Sequence, residues 1–168
     1  MINIEIDTSK VLKHFETLRH KIEDKTPLME SIADTMHEAV IENFEQQGRP
    51  KWAPLSPLTI AQRKASGYDG KPILENRGTL QKRIEADYGP DYAVVGSNSP
   101  YAAIHQFGSA GLPGGIIKPK SGKYLSIPIG DGTYRKVKSV TIPARPFLTL
   151  ADEDYDNIEN DIIKYLDT

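Results

Sequence analysis

Ile2, Ile4 and Ile6 alternate with Asn3, Glu5 and Asp7, the period-two pattern of a half-buried strand. From Lys10 the period changes. Val11, Leu12, Phe15, Leu18 and Ile22 recur at helical spacing, which predicts an amphipathic helix with Thr8 or Ser9 accepting its first free N–H groups. A second helix is predicted from Thr26, with Pro27 supplying a preset φ in the first turn. Its buried face holds Met29, Ile32, Ala33, Met36, Ala39, Val40 and Phe44, and Gly48 ends it.

The stretch Gly48-Arg49-Pro50-Lys51-Trp52-Ala53-Pro54-Leu55 is irregular, because its prolines remove donors and hold the backbone extended. Ser56-Pro57 opens a helix to about Ala65, closed by Gly67, and a polar loop follows to Pro72. A short helix around Thr79 to Ile84 precedes a hairpin, Glu85 to Tyr88 and Tyr92 to Val95, turning at Gly89-Pro90-Asp91. Tyr101 to Phe107 reads as another short helix, ended by Gly108. Residues 108 to 122 hold Gly108, Gly111, Pro113, Gly114, Gly115, Pro119 and Gly122, which predicts a long mobile loop. Lys123 to Ile129 and Thr133 to Ile142 read as two strands around Gly130-Asp131-Gly132, with Pro128 marking an edge or bulge. A last helix is predicted from near Phe147 to about Leu166, with Leu148, Tyr155, Ile158, Ile162 and Leu166 on one face. This order predicts one α+β domain over residues 1–168: amphipathic helices packed on a small antiparallel sheet, a long Gly/Pro-rich loop and a C-terminal helix.

Composition narrows the function. The 168 residues suffice for one core, and 38% hydrophobic and 26% charged content are those of a globular protein. No apolar run approaches the roughly 20 residues of a membrane span, and the N-terminus lacks the basic-then-apolar pattern of a secretory leader, so a cytosolic origin is expected. The absence of cysteine removes disulfides, thiolate nucleophiles and thiolate metal sites. The net charge is -2, but it is unevenly spread. Lys118, Lys120, Lys123, Arg135, Lys136 and Lys138 face one acid, Asp131, whereas Asp152, Glu153, Asp154, Asp156, Glu159, Asp161 and Asp167 face Lys164 alone. Both runs serve as solvated faces, or else the basic edge of one subunit meets the acidic helix of the next.

Catalytic chemistry finds no foothold. None of His14, His20, His37 and His105 pairs at the i, i+4 spacing of a helical zinc site. Gly111-Leu112-Pro113-Gly114-Gly115 lacks the Lys and Ser/Thr of a phosphate loop. The acid pairs Glu85/Asp87 and Asp152/Asp154 fit solvation and a helix N-terminus. Ser56 and Ser126 read as a cap and a strand residue, not as nucleophiles. No enzyme, cofactor or metal site is expected. Tyr124 and Tyr134 among the lysines of 118–138 leave one alternative, a nucleic-acid-binding module, although tyrosine is equally a strand residue.

Four segments are more specific: Trp52-Ala53-Pro54-Leu55-Ser56-Pro57-Leu58-Thr59, Ile73-Leu74-Glu75-Asn76-Arg77-Gly78-Thr79-Leu80, Tyr101-Ala102-Ala103-Ile104-His105-Gln106-Phe107-Gly108 and Ile142-Pro143-Ala144-Arg145-Pro146-Phe147-Leu148. In this order, from about Phe44 to Leu150, the chain resembles the phage virion morphogenesis family, which includes tail completion proteins of Mu-like and P2-like phages and their prophages. It departs from the family's usual serine at Gln81-Lys82-Arg83. The resemblance implies a structural role in completing the tail or joining it to the head, without catalysis. The expected partners are further copies of the chain, as in a ring, and tail or head–tail connector proteins, with neither nucleic acid nor membrane. The expected location is the bacterial host cytoplasm during assembly, or the virion tail or neck.

Within these segments Trp52, framed by Pro54 and Leu55, is expected to plug the space between the second helix and the sheet. His105 and Gln106, after Tyr101 and before Gly108, are expected to satisfy backbone groups. Pro143, Arg145, Pro146 and Phe147 form a rigid corner that presents Arg145 to a carboxylate, inside the subunit or across an interface. The candidate interface is Lys118, Lys120, Lys136, Lys138, Arg145 and Asp154.

Overall fold

The computed structural model describes residues 7–112, 114–129 and 132–167. The strand expected over Ile2 to Ile6 and part of the Gly130-Asp131-Gly132 turn lie outside the described residues. Helix α1 spans Ser9–Glu23 and α2 spans Thr26–Glu45. Neither Thr8 nor Ser9 caps α1 through its hydroxyl, and neither helix has a side-chain bond from its N-cap residue. The Asp7 carboxylate accepts from Ser9 N–H at 3.0 Å, and the Asp24 carboxylate accepts from Thr26 N–H at 3.1 Å. An aspartate two residues upstream reaches the free N–H groups, and its charge suits the positive end of the helix.

Helix α2 carries the core. Leu28, Ala33, Ala39, Val40, Asn43 and Phe44 are buried on it, while Met29, Ile32 and Met36 are half-buried. Phe44, wholly buried, meets Trp52 edge-on with ring centroids 5.7 Å apart, and Phe147 at 5.5 Å. Leu80 and Ile84 complete this cluster. The helix ends on two left-handed residues, Gln47 (φ 59°) and Gly48 (φ 95°), with Gly48 N–H donated to Asn43 O at 2.8 Å. Glycine is required at 48: a Cβ there would lie 2.5 Å from Trp52 Cδ1. The peptide bond Arg49–Pro50 is cis.

Helix α3, Pro57–Ala65, starts as expected, with Ser56 Oγ accepting from Thr59 N–H at 3.2 Å. A 3-10 turn, Gln81–Arg83, stands where the sequence predicts a short helix, and leads into strands β1 (Ile84–Gly89) and β2 (Tyr92–Ser97). These pair antiparallel from Ile84↔Ser97 to Gly89↔Tyr92, and both pack on α2. Helix α4 is Ala102–Phe107. A second antiparallel ribbon joins β3 (Leu125–Pro128) to β4 (Tyr134–Val137), and α5 spans Asp152–Asp167. The architecture is α+β, with two two-stranded sheets among the described residues in place of the one expected. The loop from 108 contains a 3-10 turn, Ser109–Gly111, and Ile117 pairs with Val140 as an isolated bridge.

Three helical expectations are corrected. The last helix begins at Asp152, not near Phe147. Phe147 and Leu148 donate their N–H groups sideways to Gln106 Oε1, each at 3.0 Å, so the chain stays extended there and Phe147 enters the core. The inward face of α5 is Asp154, Ile158, Asp161 and Tyr165, whereas Tyr155, Ile162 and Leu166 face out, Tyr155 being 59% exposed. Polar anchors set this rotation: Asp154 on Arg49, Asp161 Oδ2 accepting from Thr35 Oγ1 at 2.6 Å, and the Tyr165 hydroxyl 2.7 Å from Asp24 O. Likewise no residue of α1 is buried, and Val11, Leu12, Phe15 and Ile22 are exposed. Among the described residues no helix is long and apolar enough to cross a membrane.

Candidate functional site

The four segments singled out in the sequence meet around one cleft of about 750 Å³. Its walls come from Pro54 to Thr59, from Leu74, Asn76, Arg77, Thr79 and Leu80, from Tyr101 and His105, and from Val140 to Pro143 with Arg145, joined by Gln62, Arg63 and Ile127. Each wall is fixed by bonds between segments distant in sequence. Arg145, 6% exposed, donates from Nε to Ala53 O at 2.9 Å and from Nη2 to Pro54 O at 3.0 Å, holding the loop before α3. Its own N–H is donated to His105 O at 2.7 Å. Ser109, fully buried, ties the end of α4 to the same segment: its N–H is donated to Ile142 O at 2.8 Å and its Oγ accepts from Ile142 N–H at 3.1 Å.

Gly108 makes this approach possible. Its φ is +65°, and a Cβ there would lie 2.5 Å from Ala144 N and 2.7 Å from Ile142 O. Gln106 completes the seam: its Nε2 donates to Leu148 O at 3.2 Å, so its amide pairs with the extended segment as a neighbouring strand would. The opposite wall is held by Gln47, whose Oε1 accepts from Ile73 N–H. Gln62 Nε2 donates to Pro128 O, linking α3 to β3. Leu74, on the cleft wall, has φ +66°, a left-handed conformation uncommon for a branched side chain.

The lining is cationic. Arg63, Arg77 and Arg145 all border the cleft, and no aspartate or glutamate does. Among the described residues none of the three arginines forms an ion pair. Arg63 donates through Nη1 to Lys71 O at 2.7 Å and Pro72 O at 2.9 Å, and Arg77 lies over the Tyr68 ring at 5.9 Å. Burial pushes the Arg63 pKa down. Burial and then the charge of Arg63 push Arg145 down, and burial and then Arg145 push His105 below its ordinary 6.5. The His105 Nδ1 is buried and has no hydrogen-bond partner, contrary to the expectation that this ring satisfies backbone groups; its carbonyl does that instead. Arg63, Arg145 and His105 are thus gathered in a concave, partly desolvated site with no acidic side chain in its lining, an arrangement that an anionic group would relieve.

The other residues expected to matter fall elsewhere or take a different part. Trp52 is in the core, donating from Nε1 to Pro146 O at 2.8 Å, beside Phe147. Pro54, Leu55, Tyr101 and Pro143 line the cleft. Lys118, Lys120, Lys136 and Lys138 are exposed along the β3–β4 region. Asp154 is buried within the subunit on Arg49 and is not a surface group. Arg145 meets backbone carbonyls, not a carboxylate.

Three arginines are not singled out by their sequence context. Arg49 sits among Glu42 at 3.2 Å, Glu153 at 2.5 Å and Asp154 at 2.8 Å. Those carboxylates lie close enough together to hold a cation, and the guanidinium is that cation. Burial opposes its charge, but the bonds to Asp154 and Glu153 outweigh this and raise its pKa. Arg63 and Arg77 read as ordinary surface residues of a helix and a loop; their position in or beside the four specific segments is the available signal.

The chain is 36% identical over 166 residues to the Mu-like prophage FluMu G protein 2 of Haemophilus influenzae, covering 98% of this chain and 96% of that one. It is 30% identical over 153 residues to the putative capsid assembly protein G of Escherichia phage Mu, covering 89% and 83%. A further relative, the Mu-like prophage FluMu G protein 1 of Haemophilus influenzae, is 29% identical over 117 residues, covering 67% and 79%. No solved structure matches. The model of the phage virion morphogenesis family matches residues 6–167, and the chain belongs to that family, one of structural assembly rather than of an enzyme class.

Proposed function

We propose that the chain is a non-enzymatic subunit that completes the phage tail or helps join tail to head, acting by self-association and by contacts with neighbouring virion proteins. The observation that carries this reading is the convergence of the four family-like segments on one cleft lined by arginines and apolar side chains. Residues 1–168 act as one domain, located in the bacterial host cytoplasm during assembly or in the virion tail or neck. The loop over 108–122, anchored through Ser109 and Ile117, orders further upon assembly. The test is deletion of the gene from a phage or prophage that encodes it, followed by electron microscopy of the particles. Unfinished tails, or tails separated from heads, are expected, and complete infectious particles overturn the reading.

One observation favours a second reading. Lys118, Lys120, Lys136 and Lys138 are all exposed near a two-stranded ribbon bearing Tyr134, a surface suited to a phosphate backbone. Binding to a labelled oligonucleotide that weakens steeply with salt and with Lys136→Glu would support it.

A further inference from the structure

We propose that the cleft is a carboxylate-binding site whose occupant is the outward face of α5 from a second copy of the chain. This rests on the assembly reading above and gives it a contact. The cleft sets guanidinium groups against an apolar wall that includes Leu55, Leu74 and Tyr101. The carbonyl bonds of Arg63 involve Nη1, and those of Arg145 involve Nε and Nη2, so each guanidinium retains a terminal nitrogen for a ligand. Planar guanidinium groups select carboxylates, and an apolar wall beside them selects a carboxylate flanked by apolar side chains.

The outward face of α5 has that composition. Tyr155, Ile162 and Leu166 are exposed, and Asp156 and Glu159, three apart on a helix and therefore neighbours, are exposed among them. Three further acids of the helix are engaged within the subunit: Glu153 and Asp154 on Arg49, and Asp161 on Thr35. Among the described residues neither Asp156 nor Glu159 forms an ion pair. The cleft therefore has guanidinium groups with no carboxylate in its lining, and α5 presents two carboxylates outside any ion pair among the described residues; each surface also exposes apolar groups that association would cover.

A chain cannot make this contact with itself in the conformation described. Helix α5 packs on α2, and no α5 residue lines the cleft. The pairing is therefore heterologous, cleft of one copy to helix of the next, the type of contact that closes into a ring or propagates as a filament.

The test is sedimentation velocity on the full chain across a concentration series, at low and high salt. The wild type is expected to associate with rising concentration, and less so in high salt. Arg77→Glu and Glu159→Arg, both at exposed positions, are each expected to weaken association by roughly tenfold or more. An equimolar mixture of the two variants is expected to restore it, because one new interface has the native charges and the other has both reversed. Circular dichroism confirms that each variant is folded. A wild type that stays monomeric throughout overturns the proposal, as do variants that associate like the wild type or a mixture that fails to recover. Loss of oligonucleotide binding in Arg77→Glu with association intact also overturns it and assigns the cleft to a polyanion. Unfinished particles from the gene deletion together with a monomeric wild type would leave the assembly reading standing and remove only this contact.

Discussion

Arg49 and Asp154 are joined by two hydrogen bonds, from Nη2 to Oδ2 at 2.8 Å and from Nη1 to Oδ1 at 3.1 Å, between side chains only 8% and 3% exposed. The pair fastens α5 to the turn that follows α2. The same carboxylate accepts from Ala151 N–H at 2.7 Å, so it also caps the first turn of α5.

Asp154→Ala removes both functions and leaves a buried guanidinium with Glu42 and Glu153 as its remaining acidic partners. Breaking a buried pair from one side costs about 3–5 kcal/mol, and the two remaining acids place the expected loss near the lower limit. Urea unfolding monitored by circular dichroism measures it. The double variant Arg49→Met/Asp154→Leu is expected to lose less than Asp154→Ala, because no charge is then left buried and unpaired.

Trp52 is the only tryptophan, so its fluorescence reports on the core directly. Trp52→Phe keeps most of the packing against Phe44 and loses the bond to Pro146 O. It is expected to cost about 1–2 kcal/mol, whereas Trp52→Ala costs about 3–5 kcal/mol. Wild-type emission is expected to be blue-shifted and to move to the red on unfolding. Red-shifted emission from the native state would remove the indole from the core.

These two sites also show what the sequence makes legible. The core face of α2 can be read because Ala33, Ala39, Val40 and Phe44 are apolar and share the helical period. The Ser56 cap and the β1–β2 turn follow from local chemistry and are equally legible. The rotation of α5 is not, since it is set by Asp154, Asp161 and Tyr165 bonding to residues more than 100 positions away, while several of its apolar positions point outward. Phe147 reads as helical in the sequence because the sideways capture of its N–H by Gln106 has no local signature. The cleft residues Arg63 and Arg77 become a site only when folding brings them to Arg145.

Gly108→Ala tests the seam between α4 and the 142–148 segment. The substitution forces a side chain into a left-handed conformation and drives its Cβ against backbone atoms that cannot rotate away. The conformational part alone costs about 1–2 kcal/mol, and the clash adds to it. Gly122→Ala is the control: its φ is +79°, but nothing lies within 4 Å of the added carbon. Thermal unfolding is therefore expected to show a clearly larger drop for Gly108→Ala. Equal drops would mean that the seam is not close-packed.

His105 predicts a pH dependence. Burial, and then the charge of Arg145, hold its imidazole below the ordinary value of 6.5, and Arg63 on α3 and Tyr101 before α4 border the same cleft. The unfolded chain therefore binds this proton at higher pH than the folded chain. Above about 6.5 both states are neutral and the site leaves stability unchanged. As pH falls through that value the unfolded state gains the proton first, so stability declines until the folded-state pKa is reached, and then levels off. Denaturant midpoints from about pH 8 to about pH 5 are expected to fall more steeply for the wild type than for His105→Gln, which lacks the titrating ring. Parallel profiles would show that the imidazole is solvated, and that its Nδ1 has water where the structure shows no partner.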